Sequence, residues 1–200
     1  MFYWFAYGVI FILSKVFCPC RFIGKQNLPK GSFILASNHI SNLDPLILGL
    51  SCVRKFGYIA KESLFKNKLF GIVLHWVGTF PIKRDSSDVG AMKEALKRLE
   101  RGTPIIMFPE GTRGGYARFQ RVHSGIALIA GKSGVPVIPA YIDGSDRVLP
   151  PGAKWPRRHL VKVTIGPPLT FSGKQSYPEM ANQIMKDILT LVPQGCLNLS

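Results

Sequence analysis

The chain has 200 residues, of which 46% are apolar and 11% aromatic, enough for one packed core, and this excludes a disordered chain. Its 20 glycines and 15 prolines follow no period, so collagen-like, low-complexity and repeat architectures are excluded too. Lys and Arg total 26 against 11 Asp and Glu, a formal charge of +15; such a chain is drawn to polyanions, whether nucleic acid, an anionic bilayer or a phosphorylated substrate.

Residues 1–13 form an almost wholly apolar, aromatic-rich run that ends at Ser14 and Lys15. A bilayer span takes about 20 apolar residues, so the run is short for one. It has neither the basic start nor the small-residue cleavage site of a secretory signal. Phe2, Tyr3, Trp4 and Phe5 suit the headgroup zone of a membrane. Residues 1–20 are therefore expected to form a helix sunk in one leaflet, with Lys15 and Arg21 near anionic headgroups. A helix packed on the core and a true span are the two alternatives. No acid precedes Asp44. The four cysteines, Cys18, Cys20, Cys52 and Cys196, make no zinc pattern and read as reduced packing residues.

Strand-like runs follow at 32–36, 56–60, 78–82, 104–108, 135–142 and 159–165. The pattern from Ser86 to Arg101 predicts a helix with Val89, Met92, Leu96 and Leu99 on one face, capped near Ser86–Asp88 and ended by Gly102. Ser124–Lys132 predicts a second, closed by Gly134. Met180, Ile184, Ile188 and Leu191 mark a third. Residues 143–156 read as loop. Strands alternating with helices predict an α/β fold with a mixed, largely parallel sheet covered by helices. No boundary divides residues 21–200. The two prolines of Val135–Ile142 place that strand at an edge or a site rim.

Chemistry concentrates at the ends of these strands. Asn38-His39-Ile40-Ser41-Asn42-Leu43-Asp44-Pro45 follows the first. A histidine near a carboxylate is a general-base pair, in which the carboxylate sets the tautomer and stabilises the imidazolium. No G-x-S-x-G elbow supplies a serine nucleophile, so the pair would act on a hydroxyl carried by a substrate. On spacing alone the segment also reads as a turn whose Asn38, Ser41 and Asp44 satisfy backbone groups. Phe108-Pro109-Glu110-Gly111-Thr112-Arg113 follows another strand, and Arg113 can hold a phosphate bidentately; a surface turn is the plainer reading. The P-loop pattern is missing, so ATP is not indicated. Gly78–Arg84 delivers Lys83 and Arg84 to a strand end, and Lys61 ends another. His75, His159, Trp76 and Trp155 read as packing, exposed or interfacial residues.

Taken together, Asn38-His39-x-Ser41-x-x-Asp44, Gly78 to Arg84, Phe108 to Arg113 and Val135 to Ala140 resemble, in order and spacing, the motifs of the 1-acylglycerol-3-phosphate acyltransferase family. The resemblance implies acyl transfer from coenzyme A or acyl carrier protein thioester to the free hydroxyl of a lysophospholipid, with no metal and no further cofactor. It implies His39 as base and Asp44 as its partner, with Asn38, Ser41 and Lys83 as supporting positions. It also implies an acceptor site from Lys61, Arg84, Glu110, Gly111, Thr112 and Arg113. Glu110 would order its loop or bond the glycerol, and a salt bridge to a neighbouring cation is the alternative. An enzyme of this kind is expected at the cytoplasmic face of a membrane, held by an anionic surface without crossing it. The chain departs from the family pattern at Gly114, where Ser is usual, and in the placing of the cations that follow, which bears on the headgroup accepted. Two rival readings remain at this level: the same chemistry on another acceptor, such as glycerol-3-phosphate or a lyso-aminolipid, and a non-catalytic basic membrane-binding module. No helix-turn-helix, zinc finger or RNA-binding aromatic motif supports nucleic acid.

Overall fold

The computed structural model describes residues 2–82, 88–110, 124–150, 152–153, 155–171 and 175–193. Seven strands form one sheet: β1 (Cys20–Ile23), β2 (Ile34–Ser37), β3 (Gly57–Lys61), β4 (Thr79–Ile82), β5 (Ile105–Met107), β6 (Val137–Asp143) and β7 (Val161–Ile165). Their order is β1-β7-β6-β2-β5-β3-β4. Among the described strands β6 and β7 pair antiparallel, and every other neighbouring pair is parallel. The helices are α1 (Phe2–Phe17), α2 (Asp44–Gly49), α3 (Lys68–Trp76), α4 (Val89–Glu100), α5 (Gly125–Ser133), α6 (Ser145–Val148) and α7 (Tyr177–Thr190).

Both faces of the sheet are covered. Side chains alternate along a strand, so Ile34 and Ala36 of β2 enter a core with Leu99 of α4, Ile126 of α5 and Ile184 of α7. Phe33 and Leu35 enter a second core with Ile47 of α2 and Val148 of α6. The central strand is thus apolar on both sides, as a parallel sheet between helical layers requires.

Several local readings change. The helix expected over 86–101 begins at Val89, with the side chain of Asp88 accepting from the Ala91 N–H at 2.9 Å. Ala91, Ala95 and Leu99 form its buried face, while Val89 is exposed; Ser86 and Ser87 lie outside the described residues. β6 is interior, not an edge. Its Pro139 is tolerated because the β7 chain bulges opposite it. The register shifts by one residue between Ala140↔Ile165 and Val137↔Leu169, and bulges are where prolines without an N–H can sit inside a sheet. β1 was not expected; four residues at the sheet edge give too short a pattern. α6 gives one helical turn to a stretch read as loop. His159 is half-buried, its N–H donating to the Phe17 carbonyl at 3.1 Å, while His75 is exposed against the Phe65 ring.

Leu99 is buried where α4 meets the sheet. Leu99→Ala should lower the unfolding free energy by about 2–5 kcal/mol in urea titration, through lost transfer energy and the cavity left behind.

Candidate active site

The parallel strands β2, β3, β4, β5 and β6 bring their carboxyl ends to one edge of the sheet, the usual binding edge of open α/β folds. β2 ends at Ser37, and Asn38 completes its ladder with a side chain. The Asn38 amide donates to the Ile142 carbonyl at 2.9 Å and accepts from the Ile142 N–H at 2.7 Å. This ties the departing chain to β6 and aims the next residue, His39, off the edge.

Residues 40–43 then turn, with the Asp44 N–H donating to the Ser41 carbonyl at 3.2 Å and the Ser41 hydroxyl accepting from the Leu43 N–H at 3.3 Å. Asp44 opens α2, followed by Pro45 in the first turn, where its missing N–H costs nothing. The carboxylate of Asp44 is fully buried and saturated. Oδ2 accepts from the Ile40 and Ser41 N–H groups, both at 2.7 Å, and lies 2.9 Å from His39 Nδ1. Oδ1 accepts from the Ser145 hydroxyl at 2.5 Å. A carboxylate so placed is an acceptor. In the neutral ring this places the proton on Nδ1 and leaves the lone pair on Nε2. The ring is 14% exposed and stacks on Phe108 with centroids 4.2 Å apart. His39 is thus held in tautomer and in plane, with a basic nitrogen available at the sheet edge.

Nothing in the sequence pattern marks Ser145. It sits in a stretch that reads as loop, and only the alignment of β6 beside β2 shows that its hydroxyl returns to Asp44. Gly144 makes the return possible. Its φ is +86°, and a Cβ there would stand 2.8 Å from the Leu160 carbonyl oxygen, so only glycine fits. Removing the Ser145 hydroxyl leaves Oδ1 of a buried carboxylate unpaired. Ser145→Ala should therefore cost about 1–3 kcal/mol of unfolding free energy, measured in denaturant.

Glu110 follows β5 by three residues and is buried. Among the described residues neither of its carboxylate oxygens makes a hydrogen bond of normal geometry, although the His39 backbone N–H lies close to the carboxyl. Burial pushes its pKa up to about 7; the His39 backbone N–H opposes this and the negative charge of Asp44 adds to it. The pair His39–Asp44 and the Glu110 carboxyl are therefore close enough to feel each other. Lys61 ends β3 and is exposed, opposite Ile82 at the end of β4. Lys83, Arg84, Gly111, Thr112 and Arg113 lie outside the described residues, as does Cys196. Cys18, Cys20 and Cys52 are free thiols.

The acyltransferase family model matches residues 19–143, a range that contains His39, Asp44 and Glu110. A 1-acyl-sn-glycerol-3-phosphate acyltransferase of Helicobacter pylori is 30% identical over 189 residues, covering 88% of this chain and 79% of that protein. The chain belongs to this acyltransferase family. A chloroplast 1-acyl-sn-glycerol-3-phosphate acyltransferase of Brassica napus is 30% identical over 174 residues, or 84% of this chain and 50% of its own length. This chain thus spans about half the length of that chloroplast relative. The crystal structure of the 1-acyl-sn-glycerophosphate acyltransferase PlsC of Thermotoga maritima has the same fold, with a TM-score of 0.70 and 28% identity over 90% of this chain and 73% of that one.

The Glu110 carboxyl also makes the stability of the fold depend on pH. Its folded pKa of about 7 lies above the ordinary 4.5, so the fold holds a proton that the unfolded chain releases. That contribution is complete below about 4.5 and is lost as pH rises through about 7. Melting temperature against pH should fall across this window in the native chain, and Glu110→Gln should flatten the fall.

Proposed function

We propose that this protein transfers a fatty acyl group from an acyl thioester to the free hydroxyl of 1-acylglycerol-3-phosphate, giving phosphatidic acid. The observation that carries the reading is the His39–Asp44 pair, set at the sheet's carboxyl edge in a chain of this family. The Ser145 hydroxyl donates to Asp44, so it serves the pair and is not itself placed as a nucleophile for His39. The hydroxyl that loses its proton therefore comes with the acceptor.

In this reading Nε2 of His39 takes the hydroxyl proton as the acceptor oxygen attacks the thioester carbonyl. Asp44 stabilises the imidazolium that forms. Backbone N–H groups near Gly111 are assigned to the tetrahedral oxyanion. It collapses with loss of the thiolate of coenzyme A or acyl carrier protein, which receives the proton from His39. Arg113 holds the acceptor phosphate, with Lys61 and Arg84 assisting and Lys83 beside them. Glu110 orders its loop or bonds the glycerol. No protein-bound acyl group is formed.

The N-terminal segment supports work at a membrane. No helix among the described residues is long and apolar enough to cross a bilayer. α1, within residues 1–20, nevertheless exposes Phe5, Ile12 and Val16, which suits a helix lying in one leaflet while residues 21–200 form the catalytic domain.

Thioester turnover by the purified protein, offered lysophosphatidic acid and a panel of other lysophospholipids with both donor types, tests the reaction. Lysophosphatidic acid should be the preferred acceptor. His39→Ala should lose about 10²–10⁴-fold in turnover with an unchanged melting temperature. Asp44→Asn should be similarly severe, since it removes the charge and favours the wrong tautomer. Full turnover by His39→Ala would end the reading.

The headgroup assignment has its own check. Arg113→Ala should raise KM for lysophosphatidic acid, and Arg113→Lys should restore it only in part, because a point charge does not replace the planar guanidinium. An unchanged KM in Arg113→Ala would move the phosphate elsewhere.

A further inference from the structure

Cys18-Pro19-Cys20 joins the end of α1 to β1. The Cys18 N–H still donates to the Ser14 carbonyl, at 3.0 Å, and closes the helix. Cys20 opens the strand, in register with Val161 of β7. Both side chains pack against the second core, beside Phe22 of the same strand, and both keep partial exposure. Residues two apart in an extended chain share a face, and Pro19 restricts the backbone between them. The two thiols therefore meet. The Cys20 thiol donates to the Cys18 carbonyl at 2.9 Å, and the two sulfurs also form a hydrogen-bonded pair.

The pair is unequal. The hydrogen bond from Cys20 draws the Cys18 thiol below its ordinary pKa, against the effect of burial. The same bond, burial and the negative charge of Cys18 push the Cys20 thiol well above its own, with Lys15 opposing in part. A thiolate supported by a second thiol is the arrangement of a dithiol redox pair, in which the more acidic sulfur attacks and the other resolves. The backbone around the pair also holds the sheet. The Phe17 carbonyl accepts from the His159 N–H at 3.1 Å, and the Pro19 carbonyl accepts from the Val161 N–H at 3.0 Å. These two bonds, one on each side of Cys18, fasten the end of α1 to the residues that open β7.

We propose that Cys18 and Cys20 are a reversible oxidation site, closed to a disulfide by a small-molecule disulfide of the glutathione class, and that its closure loosens the end of α1 from β7. The Cys18 thiolate attacks one sulfur of the oxidant. The oxidant's sulfur–sulfur bond breaks, one glutathione leaves as thiolate, and a mixed disulfide remains on Cys18. Capped in this way, Cys18 no longer carries a charge or shares the Cys20 proton. Cys20 then gives that proton to the departed thiolate and attacks Cys18 Sγ. The Cys18–Cys20 bond forms, and the second glutathione leaves and takes from solvent the proton that Cys18 lost on ionising. The two electrons given up by the pair reside in two glutathione thiols. A ring with one residue between its cysteines is tighter than ordinary disulfide geometry. To close it the Cys20 sulfur leaves the Cys18 carbonyl and the backbone about Pro19 moves, which draws the Phe17 and Pro19 carbonyls from their donors. The same strain makes the bond easy to reduce, so the pair acts as a switch and not as a brace.

The test uses the intact chain incubated with oxidised glutathione, quenched in acid, alkylated with iodoacetamide without reduction and cut with trypsin. Cleavage after Lys15 and Arg21 isolates residues 16–21, which hold both thiols and no other cysteine. This peptide should lose both alkyl labels and carry the mass of an internal disulfide, and dithiothreitol should restore both labels. In Cys20→Ser the reaction should stop at a glutathione adduct on Cys18. Two labelled cysteines after oxidation, or an adduct that persists in the native chain, would overturn the oxidation site. Hydrogen–deuterium exchange reads the structural consequence. The His159 and Val161 amides should exchange faster in the oxidised chain than in the reduced one, and Cys18→Ser with Cys20→Ser should show no response to the oxidant. Equal protection in both states would overturn the loosening and leave the oxidation site standing. A response that survives in the double variant would belong to another thiol and would overturn the loosening as well.

Discussion

A buried carboxylate is costly unless every lone pair it presents is met. At Asp44 the fold meets them from three directions: two backbone N–H groups of the turn after β2, the imidazole of His39, and the hydroxyl of Ser145 arriving from β6. This one side chain joins the end of the central strand, the start of α2 and the start of α6. It also selects the tautomer of the neutral His39 ring. The remainder of the site inherits its geometry from that knot, because His39 is stacked against Phe108 and Phe108 leads into Glu110.

The sheet makes the knot possible. Parallel strands place their carboxyl ends together, so segments far apart in sequence leave the sheet side by side. Asn38 and Ile142 are 104 residues apart, yet they are joined through both amide atoms of the asparagine. The antiparallel β7, and β1 beside it, lie outside this shared edge and close the far side of the sheet. α1 and α3 carry exposed apolar side chains on the outside of the molecule. The molecule therefore carries the His39–Asp44 pair at one edge of the sheet and exposed apolar helix residues within a single packed unit.

Much of this could be read from residue pattern. The buried strands are continuous apolar runs bounded by turns, and the helices carry stripes at helical spacing, so their existence follows from burial on one or two faces. The His39–Asp44 pair is local, five residues apart, and a local pair is visible in one dimension. What escaped the pattern depends on tertiary neighbours. Ser145 is an ordinary serine until β6 lies beside β2. Pro139 argues for an edge strand until the bulge opposite it is known. β1 is too short to give a signal of its own. Val89 has the right spacing for a buried face, but the sheet meets α4 through the smaller Ala91 and Ala95 instead.

The central claim is that Asp44 holds His39 with its proton on Nδ1 and leaves Nε2 as the base. The most direct measurement is nitrogen-15 NMR of the full-length protein labelled at histidine, with His39 assigned by substitution and observed where its imidazole is neutral. The account predicts a protonated, hydrogen-bonded Nδ1 and an unprotonated Nε2, with that preference weakened in Asp44→Asn. A proton resident on Nε2 in the native protein would contradict it.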